Sequence, residues 1–101
     1  MNENQGLTTA IVEAVLKSVT ERGLHLEPEI PPASPGYSKE WAIQDGEGWS
    51  YAGFGILIDG RYEYTLALAT SIPGEDAQTT IDWLQAEIIR IFERERSNLS
   101  Q

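Results

Sequence analysis

The sequence predicts a small α+β domain of two layers, in which two helices pack on one face of a three-stranded antiparallel meander. Three observations lead to this α-β-β-β-α order. The stretch from Trp49 to Thr70 is rich in aromatic and β-branched residues and contains an Asp59-Gly60 turn. Apolar residues recur at helical spacing before and after it. A chain of 101 residues with 41% hydrophobic content suits one core, so we expect a single domain over 7–96, a disordered N-terminus (1–6) and a loose C-terminal tail (97–101).

The first predicted helix runs from Leu7 to Arg22, where the apolar residues form a broad stripe that indicates burial. Thr8 or Thr9 can cap its start. Gly23 can supply the left-handed residue that stops it.

The next segment contains prolines at positions 28, 31, 32 and 35, which exclude a helix and most sheet pairing. Leu24 to Leu26 can add a short extra strand before it. The spacing of the prolines also fits a ligand of an SH3-type groove, but no basic residue flanks them. We therefore expect residues 28–36 to form an intramolecular strap across the sheet.

The turn at Asp59-Gly60 decides which side chains share a face of the predicted hairpin. A two-residue turn mixes polar and apolar residues on both faces. A three-residue loop, Ile58-Asp59-Gly60 with Gly60 left-handed, sets Phe54 opposite Tyr64 and separates the two faces cleanly. A shift of one residue moves every side chain to the other face, so we favour the three-residue loop.

A third strand precedes the hairpin, because Trp41 and Ile43 alternate with polar neighbours between Lys39 and Gln44. An even-length loop over residues 45–48 would pair Trp41 with Ala52. That pairing places Trp41 and Ile43 on the same face as Phe54, so both turns predict the same core face.

The second predicted helix begins near Glu75 or Asp76, with acidic residues at its start and arginines at its end, as the helix dipole favours. The order of elements is similar to that of double-stranded-RNA-binding domains. That family has a lysine cluster at the start of its second helix, whereas this chain reads Gly-Glu-Asp-Ala at 74–77. The resemblance therefore covers topology only and implies no RNA binding.

Charge is the unusual bulk property, since 16 acidic residues against 7 basic ones give a net charge of -9. This balance argues against direct binding to nucleic acid or to an anionic membrane. It is compatible with plain solubility, with attraction to a basic protein, or with divalent-cation binding. The chain has no cysteine, and we expect a cytoplasmic protein with no signal peptide or membrane span.

Residues with catalytic or metal-binding chemistry are few. His25 is the only histidine and lies between leucines, so we expect a structural role for it. Glu40 and Glu63 could approach each other as an acid–base pair, which is the weakest hypothesis.

A calcium site is the alternative to a protein-binding role. Asp45 and Glu47 lie in a glycine-rich turn that resembles the start of a calcium loop, but position twelve of that loop is Ile56. Any calcium site would need further carboxylates, such as those of Glu27 and Glu29.

The face of the sheet turned away from the helices is the best candidate for a binding site. In the favoured register it carries Trp49, Tyr51, Leu57, Arg61 and Glu63, and Trp, Tyr and Arg are common in interface hot spots. We predict a non-catalytic interaction module of the inhibitor, immunity-protein or chaperone-like adaptor kind, with a basic or nucleic-acid-binding protein as partner. Two alternatives stay open: a homodimer through this face, and the strap folding over it.

Overall fold

The computed structural model describes the backbone of residues 3–99 and the side chains of 7–97. Two helices and a four-stranded antiparallel sheet form two layers, and the strands lie in the order β1-β2-β3-β4. The elements in chain order are α1 (Glu3–Thr20), β1 (His25–Pro28), β2 (Tyr37–Gln44), β3 (Ser50–Leu57), β4 (Tyr62–Leu66), a 3₁₀ turn (Ala69–Ser71) and α2 (Ala77–Leu99).

The α+β class and the antiparallel sheet agree with the sequence prediction, but the sheet has a fourth strand. The optional strand predicted at Leu24–Leu26 corresponds to β1, which starts one residue later, ends two residues later and pairs with β2 from His25↔Gln44 to Pro28↔Trp41. Both helices extend into segments predicted to be loose. Residues 1–2 and 100–101, the outer parts of those segments, lie outside the described residues.

The start of α1 also differs from the prediction. Thr8 lies inside α1 instead of capping it, and its hydroxyl is hydrogen-bonded to the Tyr62 hydroxyl. The predicted stop is confirmed, since Gly23 has a φ of 79° and the Leu24 amide donates to the Val19 carbonyl at 3.0 Å.

The core lies between the two helices and one face of the sheet. Phe54 is at its centre, stacked on Trp41 at a centroid distance of 5.3 Å and in edge contact with Phe92 at 6.4 Å. The other buried members of this cluster are Leu7, Ile11, Val15, Val19, Leu24, Ile43, Ala52, Leu84, Ile88 and Ile91. A smaller cluster of Ile72, Ala77 and Ile81 closes the end where α2 begins.

The register of the β3–β4 hairpin is the predicted one. Phe54 is opposite Tyr64, the Leu57 amide donates to the Arg61 carbonyl at 2.8 Å, and Gly60 has a φ of 93°. The three-residue loop therefore separates the polar and apolar faces of the hairpin, as the sequence predicts.

The β2–β3 pairing differs from the prediction by two residues. Trp41 is opposite Phe54 and Ile43 is opposite Ala52. The faces are unchanged, because a shift of two residues preserves the alternation. The pairing then skips Tyr51, since Gln44 is opposite Ser50, and this irregularity changes the direction of the Tyr51 side chain.

Candidate interaction surface

The outer face is the side of the sheet turned away from α1 and α2. Alternation along the strands assigns to it Glu27 of β1, Glu40 and Ala42 of β2, Gly53, Gly55 and Leu57 of β3, and Glu63 and Thr65 of β4. No described helix covers this face. Its structure depends on the β1–β2 connection, residues 29–36, which is the predicted strap without Pro28, because Pro28 pairs with Trp41 as the last residue of β1.

Glu40 holds the strap against the outer face. Its carboxylate accepts hydrogen bonds from the Ala33 amide at 2.9 Å, the Ser34 amide at 3.0 Å and the Ser34 hydroxyl at 2.8 Å. The Glu29 amide donates to the Glu40 backbone carbonyl at 2.9 Å. Glu40 is only 9% exposed, so its carboxylate anchors the strap.

Tyr37 covers another part of the outer face. A Cβ built on Gly55 would lie 2.7 Å from Cδ2 of Tyr37, so the tyrosine ring rests on that glycine. The Tyr37 hydroxyl reaches across β3 to the Glu63 carboxylate at 3.5 Å. Partial burial, followed by the charges of Glu63 and Glu40, raises the pKa of Tyr37 above its ordinary value. The phenol is therefore neutral at physiological pH and crosses the sheet from β2 to β4.

A groove of about 210 Å³ remains open beside this crossing. Its floor consists of small residues, which include Ala42, Gly53 and Ala67, and Thr65 lies at its β4 side. The carboxylate residues Glu29 and Glu40 line the strap side. This groove combines a flat floor with an acidic border, so it suits a narrow extended segment better than a bulky ring.

The residues predicted to bind a partner do not form one patch. Leu57 and Arg61 line a separate cavity of about 430 Å³ at the strap end of the sheet, together with the exposed Ile58. Glu63 lies midway along the sheet beside Tyr37, and Trp49 is exposed in the β2–β3 turn at the other end.

Tyr51 is a correction to the predicted outer-face site. Its side chain is half-buried and packs against both core clusters, because the irregular pairing at this residue turns it to the helix side. Its hydroxyl donates to the Asp45 carboxylate at 3.2 Å.

Asp45 has the role of a turn organiser. One carboxylate oxygen accepts hydrogen bonds from the amides of Glu47 at 2.9 Å and Trp49 at 3.0 Å, and the other accepts the Tyr51 hydroxyl. Partial desolvation raises the pKa of Asp45, but these hydrogen bonds outweigh it, and the pKa lies below its usual value. The carboxylate is therefore ionised and already engaged by the turn.

The carboxylates proposed for calcium are not gathered in one place. Glu27 of β1 lies opposite Ala42 of β2, with its carboxylate 3.9 Å from Nε2 of His25, whereas Glu47 lies in the β2–β3 turn. Among the residues that the structure describes, no group of three acidic, histidine or cysteine side chains is placed to hold a metal ion.

Sequence reasoning named Glu40 only as a candidate acid–base residue and missed its role as the anchor of the strap, and it did not single out Tyr37, whose ring covers Gly55. A weak signal was present, since Glu40 is the one charged residue on the predicted outer face of β2. Its role depends on contact with residues six and seven positions earlier, which strand periodicity cannot indicate.

Comparisons with protein-family models, with curated proteins and with solved structures find no match to this chain. Within residues 3–99, neither helix combines the length and apolar content needed to cross a bilayer.

Proposed function

We propose that this protein is a non-catalytic interaction module that binds an extended, basic segment of a partner protein on its outer face. The observation that carries the proposal is the groove between the strap and β4, which has a floor of small residues and an acidic border. Sheet faces without a helical cover are common sites of protein recognition when their chemistry matches a partner.

The charge of the groove favours a basic segment. Glu29 and Glu40 line the groove, Glu63 is exposed on β4, and Glu27 lies on the same face of the sheet. Lys and Arg side chains can extend along small residues and place their charged ends at carboxylates. The net charge of -9 would also accelerate the encounter with a positively charged partner.

The floor of the groove explains why the segment would be extended. Gly53 lacks a side chain, and a Cβ there would lie 3.2 Å from the Thr65 hydroxyl oxygen and 3.2 Å from the Trp41 carbonyl oxygen. A side chain at this position would crowd both atoms, whereas its absence lets a partner's backbone approach the sheet beside Thr65. Trp49, exposed at the open end of the sheet, provides an aromatic surface for the flanking residues of the partner.

The test uses an oligolysine peptide as the probe, with an oligoglutamate peptide of equal length as its control. Backbone amide spectra should show saturable shifts at Gly53, Thr65 and Ala67 with oligolysine only. Neutralising Glu29 and Glu63 together (Glu29→Gln, Glu63→Gln) should weaken binding by about 1 kcal/mol, roughly fivefold.

The matched control removes two charges from the opposite layer, where Glu13 on α1 and Glu21 in the turn directly after α1 are both exposed. The variant Glu13→Gln, Glu21→Gln should bind oligolysine almost as well as the unmodified protein. Equal loss in both double variants would indicate unspecific attraction to a negative chain and would contradict the outer-face site.

A further inference from the structure

The β4 strand forms one edge of the sheet, and its hydrogen bonds to β3 follow a fixed alternation. Leu57 donates to Arg61 at 2.8 Å, and Ala67 donates to Tyr51 at 3.1 Å. In an antiparallel pair, hydrogen-bonded residues alternate with residues whose peptide groups point the other way. The odd-numbered residues from Arg61 to Ala67 therefore bond to β3.

The even-numbered residues of β4 direct their backbone groups away from β3. By this alternation the peptide groups of Tyr62, Tyr64 and Leu66 point to the sheet edge, and those of Tyr64 and Leu66 have no described strand beside them. Their side chains point to the helix layer, where Tyr62 and Tyr64 contact Phe92 at centroid distances of 5.9 and 6.5 Å. The edge strand is therefore held in place by packing against α2.

The opposite edge of the sheet is protected in a way that β4 is not. β1 has only four residues and ends at Pro28, which cannot donate a hydrogen bond. The strap continues from it, with the Glu29 amide bonded to Glu40. β4 contains no proline and no lysine, the residues that commonly prevent pairing at an exposed edge.

We infer that β4 pairs antiparallel with β4 of a second copy of this chain, which would join two sheets into one of eight strands. In the register centred on Tyr64, the outward peptide groups of Tyr64 meet those of its own equivalent, and Leu66 lies opposite the second copy's Tyr62. On the outer face this register places Glu63 opposite the second copy's Thr65. A register centred on Glu63 instead sets two carboxylates against each other, which is unfavourable.

The helix layer supports the same arrangement. Gln85 donates to the Tyr64 hydroxyl at 3.3 Å, and Phe92 packs on Tyr64, so these residues define the side of α2 that faces β4. Ile89 lies between Gln85 and Phe92 along the helix. Around the helix axis it is within about 60° of both, at roughly 100° per residue. It is 36% exposed although it is a large apolar residue.

Two-fold symmetry would bring complementary residues of the two α2 helices together. With Ile89 at the axis, spacing along the helix places Asp82 opposite the second copy's Arg96 and Gln85 opposite the second copy's Glu93. Strands about 4.8 Å apart would set these helices roughly 10 Å from each other, a normal packing distance. The occupant that fits both layers at once is a second copy.

The test measures self-association by sedimentation velocity, against the 11.2-kDa mass of one chain. Ile89→Lys should weaken the dimer at least about tenfold, because two lysines would meet at the axis. Leu16→Lys is the matched control, since Leu16 is a 44% exposed apolar residue on α1 and the charge change is identical. This control should leave the dissociation constant unchanged.

Charge substitutions at Thr65, an exposed residue, test the register. Thr65→Glu should weaken the dimer about fivefold, and Thr65→Lys should strengthen it by a similar factor, because the dimer contains two pairs of residue 65 with Glu63 of the other copy. Circular dichroism checks that each variant is folded. In the unmodified protein, amide exchange at Tyr64 and Leu66 should slow as concentration rises.

A monomer at every concentration would overturn the inference. So would a dimer that Ile89→Lys leaves intact, or one in which both Thr65 substitutions act in the same direction. Binding of a foreign extended peptide that protects the Tyr64 and Leu66 amides, with no self-association, would assign this edge to another partner. Loss of the oligolysine interaction alone would leave this result unaffected, because Ile89 is remote from the outer face.

Discussion

At the scale of single residues, the side chains that look reactive are used to build the surface. Glu40, a candidate acid–base residue by sequence, has its carboxylate filled by three hydrogen bonds from the strap. Asp45, a candidate calcium ligand, is occupied by its own turn. A buried carboxylate that accepts several hydrogen bonds serves as a structural anchor. The carboxylates of the outer face that can bind a partner are therefore those of Glu29 and Glu63.

Gly55 is the residue at which the outer face is most sensitive to added volume. Gly55→Ala should destabilise the protein by at least about 3 kcal/mol. The new Cβ would overlap the Lys39 carbonyl oxygen and the Tyr37 ring, and it would lie 3.0 Å from Cα of Glu40. Two of these contacts are backbone atoms, which cannot rotate aside.

The control for Gly55→Ala is Gly46→Ala, in the β2–β3 turn. A Cβ on Gly46 meets nothing within 4 Å, so this variant should stay within about 0.5 kcal/mol of the parent. Urea unfolding of the two variants measures both values. Similar stabilities would show that β2 can move away from Gly55, against the close approach described above.

At the scale of elements, one carboxylate adds a polar link between α1 and α2. Glu87 of α2 accepts a hydrogen bond from the Ser18 hydroxyl of α1 and two from the Arg90 guanidinium, at 2.7 and 3.0 Å. The Arg90 hydrogen bonds first, and then that from Ser18, lower the pKa of Glu87 below its ordinary value. This carboxylate therefore contributes stability only while it is ionised.

The pH dependence of stability follows from that direction. Because the folded state lowers the pKa, the stabilisation is complete above the unfolded-state pKa of about 4.3 and is lost as pH falls through the lower folded-state value. Glu87→Gln should cost about 1 kcal/mol at neutral pH. Its difference from the parent should shrink in acid.

Glu13→Gln is the control for Glu87→Gln, since it removes one negative charge from an exposed position on α1. Relief of repulsion in a chain of net charge -9 affects both variants equally. Denaturant unfolding at several pH values separates the two effects. A constant difference between Glu87→Gln and the parent at every pH would contradict the pKa shift.

The elements also show what sequence reasoning can reach. The β3–β4 register was predictable because Asp59-Gly60 selects the loop locally, and only one register separates the faces. β1 depends on pairing with β2, more than ten residues away. The local sequence pattern therefore indicated β1 only as an optional strand. The irregular pairing at Tyr51 escaped prediction, because hydrogen bonds to the Asp45 side chain help to hold that turn.

At the scale of the whole molecule, the outer face and the β4 edge are two surfaces for different partners. The outer face offers carboxylates, and the β4 edge offers backbone groups and Ile89. A net charge of -9 attracts a basic segment but repels a second copy. The two interactions should therefore respond to salt in opposite directions, although they occur on one small domain.

This contrast gives a prediction for both surfaces in one series of experiments. Raising NaCl from about 0.05 to 0.5 M shortens the Debye length from roughly 14 to 4 Å. Oligolysine binding should weaken steadily over this range, because screening removes its attraction. Self-association should strengthen, since screening relieves the repulsion between two acidic chains and leaves backbone hydrogen bonds and the Ile89 contact intact. Exposed pairs such as Asp82 with the second copy's Arg96 contribute about 0–1 kcal/mol each, too little to reverse that trend. Self-association that weakens with salt would indicate an interface of charged side chains and would contradict pairing through β4.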